Sequence, residues 1–146
     1  MTELRTVLVV DDCGDIRSLF ETALRFCEVV ALPYGEGTLQ KVKKGDFDLL
    51  MIDLPGDEGD GFCLVELLRS RSSVTPVIVM STRLDELHPK LDRLNIPYAR
   101  RFSKPFQLHE VVSCIKLALV DCPVPGQSAD NQLLRPSLPP TSQSRL

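Results

Sequence analysis

Asp53 closes an apolar run, LLMID, and four other reactive side chains stand at or just past the ends of other apolar runs. Asp11 and Asp12 follow TVLVV, Ser81 follows PVIVM, and Lys104 lies just beyond a short stretch at 100–103. Carboxylates, a hydroxyl and an ammonium in one place can receive a phosphoryl group. Hard oxygen ligands of this kind suit Mg2+, which keeps water and phosphate in its remaining positions. A carboxylate is also a known covalent nucleophile toward phosphorus. Metal and lysine would neutralise the equatorial phosphoryl oxygens, and positioning would supply the in-line geometry. Three close carboxylates repel one another as a coupled set, which a divalent cation and Lys104 would relieve.

The elements that must position these groups alternate in type. TVLVV at 6–10 predicts a strand, followed by Ile16, Leu19, Phe20, Ala23, Leu24 and Cys27 at helical spacing. VVAL at 29–32 is the second strand, and a short helix from Thr38 to Lys44 stops at Gly45. LLMI at 49–52 is continuously apolar, as befits a strand covered on both faces. A helix over Phe62–Arg69, a strand at 76–80, a fifth strand at 100–103 and a helix from Leu108 to Leu119 complete the pattern. Pro89 fits best in a helix's first turn, so the fourth helix is expected to start near His88 or Pro89 and to be short. Alternating units with short connections imply a parallel sheet with helices on both faces, whose ligands bind beyond the carboxyl ends of the strands. All five reactive groups fall there.

The order VLVVDD, LLMID closing on Asp53, Gly61 eight positions later, VIVMS and SKPF resembles the receiver domain of two-component response regulators, over about residues 5–120. The resemblance implies an α/β, flavodoxin-like, doubly wound sheet of five parallel strands with helices on both faces. It implies a phosphorylation-dependent signalling switch, in which Asp53 takes a phosphoryl group from a histidine kinase or a phosphorelay protein. Asp12 would bind Mg2+ directly and Asp11 mainly through water, with the backbone carbonyl of Pro55 and the carboxylate of Asp53 as further ligands. Lys104 would pair with the phosphoryl group. Ser81 would bond to it afterwards and draw the next loop inward, a local charge event biasing a two-state element. An output protein of unspecified kind would read the change, and homodimerisation stays open.

Some positions depart from the family pattern. The loop after Asp53 reads D-L-P-G-D-E-G-D-G in place of D-x-x-M-P-x-M-D-G, which makes it more acidic and richer in glycine. Thr82 stands where alanine or glycine is usual, and would narrow the approach of a phosphodonor. Arg83, two places after Ser81, could reach the phosphoryl group or its attacking water. Arg101 stands where many receivers carry a switching aromatic, while Phe102 is expected to face the core. Lys104-Pro105 could use a cis peptide to aim the ammonium inward. His88 and His109 read as surface helix residues. Cys114, Leu117 and Val120 widen the last helix's apolar surface beyond one stripe.

Composition bounds the rest. A chain of 146 residues with 43% apolar content supports one core and one domain, here 1–120. Residues 121–146, rich in proline and serine, read as a disordered tail or linker, in which Leu133, Leu134 and Leu138 could dock. A net charge of −3 gives no general attraction to nucleic acid or anionic membrane, and no apolar run nears the ~20 residues of a bilayer span. With no signal-peptide pattern, a cytoplasmic protein is expected. Five cysteines without a CxxC pair speak against a disulfide framework or a zinc knuckle, and four lie in or beside apolar segments as small hydrophobes. Two rival readings are a phosphorylation-independent receiver-like interaction scaffold and a metal-dependent phosphohydrolase. The second lacks a DxDxT sequence after the first strand.

Overall fold

The computed structural model describes residues 4–56, 58–72 and 74–121. Strands β1 (Thr6–Val10), β2 (Glu28–Leu32), β3 (Leu49–Asp53), β4 (Val77–Ser81) and β5 (Arg101–Ser103) alternate with helices α1 (Gly14–Ala23), α2 (Glu36–Lys44), α3 (Asp60–Arg71), α4 (Leu84–Arg93) and α5 (Leu108–Asp121). A 3-10 turn, Tyr98–Arg100, precedes β5. All strand pairs are parallel, in the order β2-β1-β3-β4-β5, so β1 and β3 lie centrally and every connection crosses over a helix. This is the parallel sheet with helices on both faces that the alternation of elements predicts, in the doubly wound form that the resemblance implies.

Side-chain alternation along the strands divides the core into two layers. Val7 and Val9 of β1, with Leu49 and Met51 of β3, face Phe20 of α1 and Val111 and Ile115 of α5. Leu8, Val10, Leu50 and Ile52 face the opposite way, onto Val42 of α2, Leu64, Val65 and Leu68 of α3, and Leu87 and Leu91 of α4. Phe102 packs in the first layer, as expected. The β1 and β3 positions on both faces are fully enclosed, which explains why these strands read as unbroken apolar runs. Gly45 adopts φ 70°, a left-handed cap that a side chain would strain, and its N–H closes α2 on the Lys41 carbonyl.

Two expectations about elements, and one about the cysteines, need correction. Helix α4 begins at Leu84, not near Pro89, and carries Pro89 inside it. Leu84, Leu87 and Leu91 are all buried at helical spacing, so tertiary packing outweighs the main-chain hydrogen bond that proline removes. Helix α1 ends at Ala23, although Leu24 and Cys27 remain buried in the same layer through the following turn. Among the cysteines described, only Cys27 is buried; Cys13 and Cys63 are exposed and Cys114 is intermediate. Burial pushes the Cys27 thiol up to about 11. Cys122 and the leucines of the 122–146 segment lie outside the described residues.

Candidate functional site

The carboxyl edge of the sheet brings the reactive groups together because each is the last residue of a strand or follows it. Lys104 leaves β5 with its N–H bonded to the Ser81 carbonyl (2.8 Å), which fixes the start of its side chain beside β4. Its ammonium then reaches across β3, lying 3.0 Å from Asp53 Oδ1 and 2.9 Å from Asp11 Oδ2. The Lys104-Pro105 peptide is cis. Asp11 is almost wholly buried, and its second oxygen, Oδ1, accepts the Cys13 N–H at 2.8 Å. Arg17 donates to the Asp11 carbonyl at 2.7 Å and so ties the first turn of α1 to the site.

Ser81 is buried, donates to the Leu54 carbonyl at 2.6 Å and accepts the Arg83 N–H at 2.9 Å. Its hydroxyl therefore links the loop after β3 to the loop after β4. Arg83 forms an ion pair with Glu86 at 2.6 Å, and its guanidinium lies against Gly56, 3.5 Å from where a Cβ there would sit. Thr82 is exposed beside it. Asp12 is exposed and lines an open cleft of about 200 Å³ together with Tyr34, Pro55, Glu58, Gly59, Asp60 and Gly61.

Tyr34 is a site residue that the sequence pattern did not single out. Its N–H donates to Asp12 Oδ1 at 2.9 Å, and its hydroxyl donates to the Asp53 main-chain carbonyl. Burial first, then the negative charges of Asp53, Asp12, Asp11 and Asp60, push the phenol well above the ordinary tyrosine range, so it stays a donor. Its place at the exit of β2, the same edge as the other groups, is the signal that could have found it.

Burial is the largest influence on Asp53 and raises its pKa; the neighbouring negative charge of Asp11 adds to it, while the Lys104 hydrogen bond opposes. The net direction is upward. Burial alone would lower Lys104, but its hydrogen bonds and Coulomb attraction to Asp11 and Asp53 outweigh that, and its pKa is raised. The two directions are consistent: Asp11 and Asp53 share one ammonium, so the cation is held firmly while Asp53, half-buried beside a second carboxylate, is not fully compensated.

Arg101, at the position where many receivers carry a switching aromatic, turns inward. Its side chain is 2% exposed and pairs with Asp92 at 2.6 Å. It also donates twice to the Ile96 carbonyl (3.0 and 2.6 Å), hydrogen-bonds His88 Nδ1 at 2.9 Å and lies 4.0 Å from the Tyr98 ring centre. His88 is half-buried and stacks on Tyr98, so it too is no simple surface residue. Leu117 and Val120 are exposed on α5, as the widened apolar stripe suggested, and the Cys114 thiol is directed at the Ala99 carbonyl (3.4 Å).

A family model for the response regulator receiver domain matches residues 7–116. The chain belongs to this family. Receiver domains are signalling domains. The chain is 30% identical over 116 residues to the transcriptional regulatory protein CiaR of Streptococcus pneumoniae, covering 80% of this chain and 51% of that protein. It is 34% identical over 121 residues to the KDP operon transcriptional regulatory protein KdpE of Escherichia coli, covering 80% and 52%. The chain thus spans about half the length of these curated relatives. Among solved structures, the receiver domain of the Francisella response regulator 1452 superposes with a TM-score of 0.65 at 25% identity, over 80% of this chain and 97% of that one. A CheY-like receiver domain from Methanospirillum hungatei gives 0.69 at 20% identity, over 81% and 95%, and shares the fold.

Proposed function

We propose that this receiver domain is a phosphorylation-dependent switch in which Asp53 accepts a phosphoryl group from a histidine kinase or a phosphorelay protein. The observation that carries this reading is the Lys104 ammonium, held within 3.0 Å of Asp53 Oδ1 and anchored on buried Asp11. An Asp53 oxygen attacks phosphorus, the bond from phosphorus to the donor nitrogen breaks, and its electron pair stays on the donor imidazole. Lys104 is placed to hold an equatorial oxygen of the transferred group, and Ser81 can exchange its bond to Leu54 for one to that group. Arg83 would then shift with the loop that follows Ser81.

Mg2+ fits the donor set. Among the described residues no three His, Cys, Asp or Glu side chains are grouped to hold a metal by themselves, and Lys104 stands between Asp11 and Asp53. Mg2+ is ordinarily held by one or two carboxylates plus carbonyl, water and phosphate oxygens. Asp12 and Pro55 line one cleft, Asp53 precedes Pro55 by two residues, and Asp11 would act through water. When bound, the ion would neutralise charge on the phosphoryl oxygens.

The switched surface would be read by an output domain or protein, and a kinase donor of this kind fits a cytoplasmic site of action. Incubation with a small phosphodonor such as acetyl phosphate tests the proposal by intact mass. A gain of one phosphoryl group that needs Mg2+ and is lost in Asp53→Asn is expected. An equal gain in chelator would overturn the metal assignment, and an equal gain in Asp53→Asn would overturn the acceptor.

A further inference from the structure

The carbonyl of Asp53 lies past the end of the β1–β3 pairing, whose register stops at Val10 and Ile52. A main-chain carbonyl at a half-buried strand end must find a donor outside the sheet. Here the donor is the phenol of Tyr34, which arrives from the loop between β2 and α2. That loop is itself pinned. The Asp11 N–H bonds to the Leu32 carbonyl at 3.1 Å, and the enclosed Thr38 hydroxyl donates to the Pro33 carbonyl at 2.5 Å. Tyr34 in turn gives its own N–H to Asp12 Oδ1 at 2.9 Å. One residue on a doubly anchored loop therefore grips the carboxylate that follows β1 and the main chain that ends β3.

The room for this grip comes from Gly61. A Cβ there would stand 2.6 Å from the Tyr34 hydroxyl and 2.4 Å from Leu54 Cδ2. The absence of a side chain at Gly61 lets the phenol pass under the first turn of α3 to reach Asp53.

We propose that Tyr34 is a positioning residue of the phosphoacceptor site, setting the spacing of Asp53 and Pro55 relative to Asp12 so that one divalent cation meets all three. The inference rests on the acceptor reading of Asp53. Without the hydroxyl, the Asp53 carbonyl loses its donor and the end of β3 is free to move against Asp12. The Pro55 carbonyl, two residues on, moves with it. The amide grip on Asp12 survives in Tyr34→Phe, so the substitution isolates the hydroxyl.

The test uses the full chain. Mg2+ is titrated into wild type, Tyr34→Phe and the control Tyr98→Phe, followed by amide resonances, and phosphoryl uptake from acetyl phosphate is timed at saturating Mg2+. Tyr34→Phe is expected to bind Mg2+ roughly three- to tenfold more weakly and to slow uptake by a similar factor, the size of one net hydrogen bond. The control should match wild type, and resonances away from the site should stay in place. A lowered melting temperature with wild-type Mg2+ affinity and rate would reduce Tyr34 to a structural role and overturn the inference. If that result came with Asp53 phosphorylated, the acceptor reading would stand alone. Weakened Mg2+ binding in Tyr34→Phe with no phosphoryl uptake by wild type would leave the grip on the acids and remove the acceptor reading. Absence of Mg2+ binding by wild type would overturn both.

Discussion

Folding makes the charge on Asp53 costly, and that cost is where reactivity and stability meet. A carboxyl whose folded-state pKa lies above its unfolded value holds its proton more tightly in the fold, so folding stability falls as pH rises between the two values. Asp53 is of this kind, because burial and the charge of Asp11 outweigh the Lys104 bond. Asp53→Asn should therefore unfold at a higher temperature than wild type at neutral pH in metal-free buffer. The gap should narrow as pH drops below the carboxylate range, where wild-type Asp53 is protonated; thermal melts at several pH values read this directly. Gly61→Ala should act in the other direction. Overpacking against Tyr34 and Leu54 costs about 1–3 kcal/mol, more than the ~1 kcal/mol that alanine gains as a helix former. Denaturant titration should show the loss. At this scale the sequence exposed Asp11, Asp12, Asp53, Ser81 and Lys104 because acids, a hydroxyl and a lysine at strand ends are conspicuous by type. Tyr34 was silent because a tyrosine beside proline and glycine is an ordinary turn residue until its hydroxyl has a place to go.

Helix α4 and strand β5 are joined through one buried arginine. Arg101 binds Asp92 and His88 of α4, the Ile96 carbonyl beyond it and the Tyr98 ring of the 3-10 turn. Burying a guanidinium is tolerable because each of these partners faces it. Replacing it with methionine fills the volume but leaves the Ile96 carbonyl without its donor, so Arg101→Met should lose about 1–3 kcal/mol of stability. Amide exchange should quicken first at residues 92–96, ahead of α5. Uniform protection across α4 in that variant would show that the leucine face alone holds the helix. The lengths of β1, β3 and α5 were legible because their apolar patterns are long and regular. Helix α4 was misjudged because Pro89 is a strong local signal, whereas the burial of Leu84, Leu87 and Leu91 that overrides it is a property of the sheet beneath. The same holds for Arg101 and His88, whose residue types indicate solvent while their partners lie inward.

The described residues form a parallel sheet whose carboxyl edge collects groups from β1, β2, β3, β4 and β5, so the candidate site exists only when every crossover is in place. The parallel sheet and the site's place at its carboxyl edge were readable from the alternation of elements and their short connections, while the strand order was legible only through the family resemblance. A chain ending at Asp121 should keep the melting temperature of the full chain, since the described core closes with Leu119; a large drop would show that residues 122–146 contribute to the fold. The central claim concerns one carboxylate among three neighbours. The most direct measurement is site mapping of the acetyl phosphate product, by reducing the acyl phosphate with borohydride and sequencing the peptides by tandem mass spectrometry. The account predicts the reduced residue at position 53 alone, formed only with Mg2+. Reduction at Asp11 or Asp12 with position 53 untouched would contradict it.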